Sequence, residues 1–209
     1  MRTITIRGFG RVQRRPDTIS IRMEVNDLDM EYEKAMGGLV RKVSSITAFL
    51  AEAGIAKDDI KTSSFDCDAE YGYENQKKIF RGYHVNQLLT LNFDLDMKVL
   101  SKVMAAIRKS DANPEINLSF VLKDKESVSE EVLASACKDA RRKAEVILKA
   151  TGESLGGLES VDYSFNPNKI CSDTRIRCMS INEEASPEMD ITPEDIDIHD
   201  TALFVWRIA

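Results

Sequence analysis

The sequence predicts an α+β protein in which antiparallel sheets carry helices on one face. Nearly every predicted strand alternates apolar and polar residues, as strands of half-covered antiparallel sheets do, and three other segments show helical spacing. The predicted order is ββαββαβαββ. Its inner part, about residues 15–124, has the βαββαβ order of a ferredoxin-like unit. The remaining αββ, about residues 125–209, predicts a smaller lobe of the same single domain, joined by strand 1–14.

The first two strands are predicted from alternation with a period of two residues. The turn sequence Arg15-Pro16-Asp17 separates them. Proline fixes its own backbone angle and aspartate hydrogen-bonds nearby main chain, so both residues favour a turn. We therefore predict a long β-hairpin, whose apolar faces comprise Ile4, Ile6, Gly8, Gly10 and Val12 in the first strand and Ile19, Ile21, Met23 and Val25 in the second.

A helix and a second hairpin follow. Apolar residues recur with helical spacing over about residues 29–53. Gly37 and Gly38 are weak helix formers within this segment, and Gly54 suits the position after the last helical turn. The next two strands turn near Asn75. Their alternating sets are Phe65, Cys67, Ala69, Tyr71 and Tyr73, then Tyr83, Val85, Leu89, Leu91, Phe93 and Leu95.

The C-terminal half contains the longest predicted helix. A helix near residues 96–110 and a strand through 116–122 precede it, and it runs from about 125 to 151 with Ser127 or Ser129 as the expected N-cap. Its apolar face is predicted to consist of Val132, Ala136, Ala140, Ala144 or Ile147, and Leu148. The alanines on this face predict close packing against a sheet or another helix. A strand through 158–165, an irregular segment through 166–194 and a closing strand through 196–208 complete the chain.

Composition and charge exclude several classes of protein. The chain has 209 residues, 43% of them hydrophobic, and a net charge of −6. Lysine and arginine are mixed with the acids, which argues against a nucleic-acid surface. No apolar run approaches the ~20 residues of a membrane span, so we expect none. No secretory leader is visible at the N-terminus. The expected location is the cytoplasm, or the periplasm if a leader has been removed.

No motif predicts an enzyme, a cofactor or a metal ion. Gly8-Phe9-Gly10 lacks the third glycine of a dinucleotide motif and precedes a strand, so its glycines indicate a bulge or a close backbone approach. His84 and His199 fall on polar strand faces, and pairing either of them with a nucleophilic serine or cysteine would be arbitrary. The carboxylates near the C-terminus do not match a calcium-binding loop.

Cys171 and Cys178 are the candidate redox residues. Both lie near cationic side chains, which lower the pKa of a thiol and make it more reactive. The alternative is two free thiols in a loop. In an extended strand they are about 23 Å apart and cannot form a disulfide with each other, whereas a folded-back loop brings them together. Cys67 and Cys137 fall on predicted apolar faces and are expected to be small core residues.

Three segments together resemble the SIMPL family, named for a signalling molecule that associates with a pelle-like kinase. They are residues 6–12 with Arg15-Pro16-Asp17, then Gly82-Tyr83-His84-Val85, then residues 136–145 with 151–156. The family includes bacterial periplasmic and outer-membrane-associated proteins linked to stress resistance. The resemblance implies a non-enzymatic α+β protein, often self-associating, without agreed catalytic residues.

Two functional hypotheses follow. The first is a non-enzymatic scaffold or interaction protein that forms homo-oligomers and is connected with stress. A long hairpin such as the one around Asn75 can reach a neighbouring subunit or offer an edge for strand addition. The alternative is a redox-responsive or small-ligand-binding protein that uses Cys171 and Cys178.

Overall fold

The computed structural model describes residues 2–74, 77–163, 171–178 and 191–209. For residues 74 and 171–178 it describes the backbone only. It confirms the α+β class and the antiparallel sheets. The elements are β1 (Thr3–Arg14), β2 (Thr18–Asp29), α1 (Tyr32–Glu52), β3 (Ile60–Glu74), β4 (Lys77–Asp94), α2 (Met97–Lys109), β5 (Glu115–Val121), α3 (Lys125–Thr151), β6 (Leu155–Asp162), β7 (Cys171–Cys178) and β8 (Ile196–Ile208). A single 3-10 turn, Lys57–Asp59, precedes β3.

The chain divides into two compact units. The larger contains Asp17–Phe120 and Thr174–Pro193, and the smaller contains Met1–Pro16, Val121–Asp173 and Glu194–Ala209. The larger unit has a five-stranded sheet in the order β3-β4-β2-β5-β7. Its first four strands have the neighbour order of a ferredoxin-like unit, as the βαββαβ pattern predicts.

Helices α1 and α2 supply the apolar cover of the larger sheet. Asp96 caps α2 by accepting hydrogen bonds from the backbone N–H groups of Lys98 and Val99, at 2.7 and 3.3 Å. The helices and strands enclose one core, whose largest fully buried side chains include Ile19, Ile21, Met23, Leu39, Ile46, Leu91, Leu100, Ile107, Leu118 and Phe120. Burial of these side chains holds this unit together.

In the smaller unit, α3 packs against a three-stranded sheet in the order β1-β8-β6. The helix has the predicted bounds and ends at Gly152, whose φ of 76° is the left-handed conformation that glycine adopts easily. Its N-cap is Asp124, which accepts from the N–H of Ser127, so the prediction of Ser127 or Ser129 as the cap is wrong. The predicted stripe is buried against the sheet: Val132, Ala136, Ala140, Ala144 and Leu148.

The predicted hairpin of β1 and β2 is wrong. The strand β1 pairs with β8 from Thr3–Arg207 to Arg14–Ile196, and β2 pairs with β4. The turn signal at Pro16-Asp17 is real, but it redirects the chain from one sheet into the other. A turn sequence fixes only a local change of direction, whereas the pairing partner depends on which side chains find cover.

The segment predicted as irregular contains the strand β7. Its sequence gives little alternation of apolar and polar residues, so period-two analysis did not find it. Within the described ranges, no helix is long and apolar enough to cross a membrane.

Candidate interaction surface

The contact between β1 and α3 explains the glycines of the first strand. A Cβ atom added to Gly8 would overlap the carbonyl oxygen of Ala136 and lie 2.9 Å from the Cβ of Ala140. One added to Gly10 would overlap the carbonyl oxygen of Val132. The register of β1 with β8 is continuous. The predicted close backbone approach is therefore present at both glycines, without a bulge in this strand.

Side chains of α3 also cover the outer edge of β1. Asp139 accepts a hydrogen bond from the backbone N–H of Phe9 at 2.9 Å. Ser135 accepts one from the N–H of Arg11 at 3.4 Å, and the Lys143 ammonium donates to the carbonyl of Arg7 at 3.3 Å. An edge strand normally presents such groups to other chains. Here the helix satisfies three of them, at Arg7, Phe9 and Arg11, and so blocks strand addition along the middle of this edge.

The charge of Asp139 is stabilised at this edge. Its hydrogen bond to Lys143 is the largest cause of a pKa lowered to about 2. Partial burial opposes that shift, while the Phe9 N–H and Arg142 support it. The carboxylate is thus tied to the helix and to the strand at once, with 19% of its side chain exposed.

We expect Asp139→Asn to lower the free energy of unfolding at pH 7 by about 1–2 kcal/mol. Because the folded-state pKa is lowered, the stabilisation is complete above the unfolded value near 3.8 and is lost as the pH falls through about 2. The difference between the two proteins should therefore shrink steadily between about pH 4 and pH 2. Urea unfolding from pH 7 to pH 2 measures it. A difference that does not depend on pH would contradict this account.

The hairpin of β3 and β4 is longer than the helix beside it. The 21 residues of α1 span about 32 Å, whereas the 15 residues of β3 span about 50 Å. The two strands pair from Ile60–Leu91 to Glu74–Lys77, which confirms the predicted hairpin; Asn75 at its tip lies outside the described residues. Because the strands extend beyond the length of α1, part of the hairpin is not covered by this helix.

An apolar row on β3 lies in this uncovered part: Phe65, Cys67, Ala69, Tyr71 and Tyr73. The row shares a face with the buried side of β4, because Cys67 pairs with Val85 and Ala69 pairs with Tyr83. All five side chains are nevertheless exposed, Tyr73 to 73%.

Further aromatic rings extend the apolar row towards α1. Tyr71 contacts Phe80, Phe80 contacts Tyr83, and Tyr83 contacts Tyr32 at the start of the helix, with ring centroids 5.3–5.8 Å apart. The ammonium of Lys78 lies 4.0 Å from the ring centre of Tyr71. Phe80 and Tyr83 are half-buried and connect the exposed rings of Tyr71 and Tyr32. A partly exposed aromatic surface of this kind is typical of a protein contact.

The structure corrects the interpretation of two cysteines. Cys67 and Cys137 are exposed free thiols rather than core residues. Cys67 lies beyond the helical cover, and Cys137 lies one position away from the buried Ala136 on α3. Cys171 and Cys178 form the two ends of the extended strand β7, and their side chains lie outside what the structure describes. Seven strand rises separate them by about 23 Å, too far for a mutual disulfide within one chain.

The remaining candidates for chemistry are dispersed. His199 stacks on Phe9 at 5.9 Å, and His84 lies half-buried on the face of β4 away from the core. Asp197 forms an ion pair with Arg11 at 2.6 Å, which lowers the pKa of the aspartate. No group of three potential metal-binding side chains occurs among the residues that the structure describes.

Sequence reasoning missed two features, one at the edge of β1 and one on the β3–β4 hairpin. The contact of Asp139 with β1 could not be recognised, because this aspartate lies in a run of charged residues that is typical of the solvent-exposed face of an amphipathic helix. The exposure of the apolar row was hidden because alternation in β3 identifies a common face but does not show where the cover ends. A comparison of the predicted lengths of helix and strands, available from the sequence, would have indicated it.

Fold and contacts together define an α+β protein with a ferredoxin-like unit and a second unit built on a direct glycine–helix contact. The profile of one family matches residues 4–206. The chain belongs to the SIMPL family, described as proteins of unknown function (DUF541). This confirms the resemblance seen in the sequence.

The curated relatives that this chain matches are themselves uncharacterized. The chain is 22% identical over 160 residues to the uncharacterized protein YggE of Escherichia coli and to that of Shigella flexneri. The match covers 77% of this chain and 65% of those relatives, so the chain spans less than two thirds of their length. A crystal structure of an uncharacterized conserved protein from Listeria innocua is 11% identical, with a TM-score of 0.21 and coverage of 97% and 92%.

Proposed function

We propose that this protein is a non-enzymatic interaction protein that assembles with further copies of itself through the exposed side of the β3–β4 hairpin. The apolar row and its neighbouring rings support the proposal. Burying exposed aromatic side chains against a partner removes apolar surface from water and stabilises the contact. A connection with stress belongs to the same proposal and rests on the resemblance to the SIMPL family.

Light-scattering mass on a sizing column tests self-association. We expect wild-type protein to form a defined multimer at two concentrations, and the double variant Tyr71→Ser/Tyr73→Ser to shift towards the monomer, because it removes two exposed rings from the contact. The control is Val40→Ser, which changes an apolar side chain on α1 that is 57% exposed. A wild-type monomer at every accessible concentration would contradict the proposal.

The redox alternative is tested in the same experiment. A mass that changes only on oxidation would favour a function of Cys171 and Cys178. Because Cys67 and Cys137 are exposed, the comparison with and without reductant needs a background carrying Cys67→Ser and Cys137→Ser. Mass spectrometry after mild peroxide then shows whether Cys171 or Cys178 is modified, and no modification at either thiol would exclude the alternative.

A further inference from the structure

The outer edge of β3 is open in the part of the chain that the structure describes. This strand ends the sheet order β3-β4-β2-β5-β7, and its backbone pairs with β4. Residues 61–69 are exposed without interruption. Whereas α3 covers the edge of β1, the outward N–H and C=O groups of β3 form a template for another strand.

The two faces of this edge differ in chemistry. One carries the apolar row. The other carries an acidic row, defined as Asp66, Asp68 and Glu70, and the residues paired with them on β4 are Asn86, His84 and Gly82. The ion pairs found among the described residues do not involve the acidic row. Asp66 and Asp68 are therefore available to a strand on the open side, whereas the guanidinium of Arg81 on β4 lies beside Gly72, two residues from Glu70 on the same face.

The acidic row disfavours pairing of β3 with β3 of a second copy. Directly opposed residues of two antiparallel strands point to the same face of the sheet. The acidic side chains of one copy would therefore lie beside those of the other. Pairing Asp68 with its own counterpart, for example, places Asp66 opposite Glu70. Like charges in directly opposed positions destabilise a sheet. The edge therefore selects a strand of opposite charge.

We infer that the β3 edge binds an extended segment of another protein in which lysine or arginine alternates with apolar residues. Its backbone continues the sheet, its apolar side chains cover Phe65 and Tyr71, and its cations lie beside the acidic row. Alternation matters as much as charge, because successive side chains of a strand point to opposite faces. This binding does not require self-association of the protein.

The probe is a fluorescently labelled peptide, acetyl-Lys-Val-Lys-Phe-Lys-Val-Lys-Val-amide, measured by anisotropy against the full chain. Two control peptides carry glutamate in place of lysine, or the same composition with cations and apolar residues in separate blocks. We expect the alternating cationic peptide to bind at least tenfold more tightly than either control. Its affinity should fall as salt rises, because salt screens the charges.

Matched variants locate the binding site. The triple variant Asp66→Asn, Asp68→Asn, Glu70→Gln should weaken binding roughly tenfold. The control Glu52→Gln, Asp58→Asn, Asp59→Asn removes the same charge from exposed positions that precede β3 and lie outside the acidic row, and it should change binding less than twofold. Thermal unfolding of both variants confirms that each is folded.

Backbone pairing is tested with two further peptides, N-methylated at the lysines or at the apolar residues. The N–H groups of alternate residues point to the same edge of a strand, so one isomer should lose binding while the other retains it. Equal binding by both isomers, by the block peptide or by the triple variant would overturn the proposal. Assembly of the protein without peptide binding would also overturn it, while leaving the proposed self-association in place.

Discussion

Replacing Gly8 with alanine is expected to lower the free energy of unfolding by about 3 kcal/mol or more. The added Cβ would overlap the carbonyl oxygen of Ala136, which belongs to the hydrogen-bonded backbone of α3 and cannot rotate away. The strand and the helix must therefore separate. Because Trp206 is the chain's single tryptophan and lies in the smaller unit, its fluorescence during urea unfolding measures the effect.

The matched control for this substitution is Gly157→Ala. Gly157 lies in β6 of the same sheet, and a Cβ there meets no other heavy atom within 4 Å. Its effect should stay within about 0.5 kcal/mol. Equal destabilisation by both substitutions would mean that loss of glycine from the strand, rather than the close approach of α3, is responsible.

Phe204→Ala is expected to remove about 3–5 kcal/mol of stability. Phe204 is 3% exposed in the core of the smaller unit, and its ring stacks on Trp206 with centroids 5.4 Å apart. Truncation leaves a cavity and uncovers one face of the indole. Urea unfolding gives the loss of stability, and the native-state emission of Trp206 should shift to longer wavelength as the indole becomes more hydrated.

Phe9→Ala is the corresponding control in the same sheet. Phe9 stacks on His199 at 5.9 Å but is 44% exposed, so its truncation should lower stability by less than about 1 kcal/mol. If Phe204→Ala were no more costly than this control, the stacked pair would not be part of the stabilising core.

The elements themselves were largely predictable, and α3 shows why. Its alanine-rich stripe, the charged residues around it and Gly152 each indicate the same helix, and the structure has the predicted bounds. Local propensity, burial pattern and capping agree there. In β7 these signals are absent, so periodicity alone left the strand unrecognised.

The partner of β1 was not predictable by the same reasoning. Alternation shows that one face of β1 is covered. Many other strands of the chain, however, could form an equivalent ladder of backbone hydrogen bonds with it. What decides the pairing is the shape of the contact with α3, where Gly8 and Gly10 admit the helix backbone. That contact joins residues more than a hundred positions apart, beyond the reach of any local pattern.

The interaction surface was predictable in part. The sequence indicated the hairpin around Asn75 and its alternating residues, and it suggested an edge for strand addition. It placed Cys67 in the core because alternation cannot show that β3 is longer than its cover. The capping of β1 by Asp139 depends on a tertiary contact and has no signature in the sequence.

The pairing of β1 with β8 determines when the smaller unit can fold during protein synthesis. The ribosome makes β1 before α3, which covers its glycines and follows more than a hundred residues later, and β8 follows later still. Until then the nascent chain carries β1 with neither of its neighbours. In the larger unit, by contrast, the segment Asp17–Phe120 is contiguous and is translated before α3, and of its sheet only the edge strand β7 follows later. Completion of the smaller unit therefore waits for the last strand, and elongation sets the earliest moment at which its sheet can close.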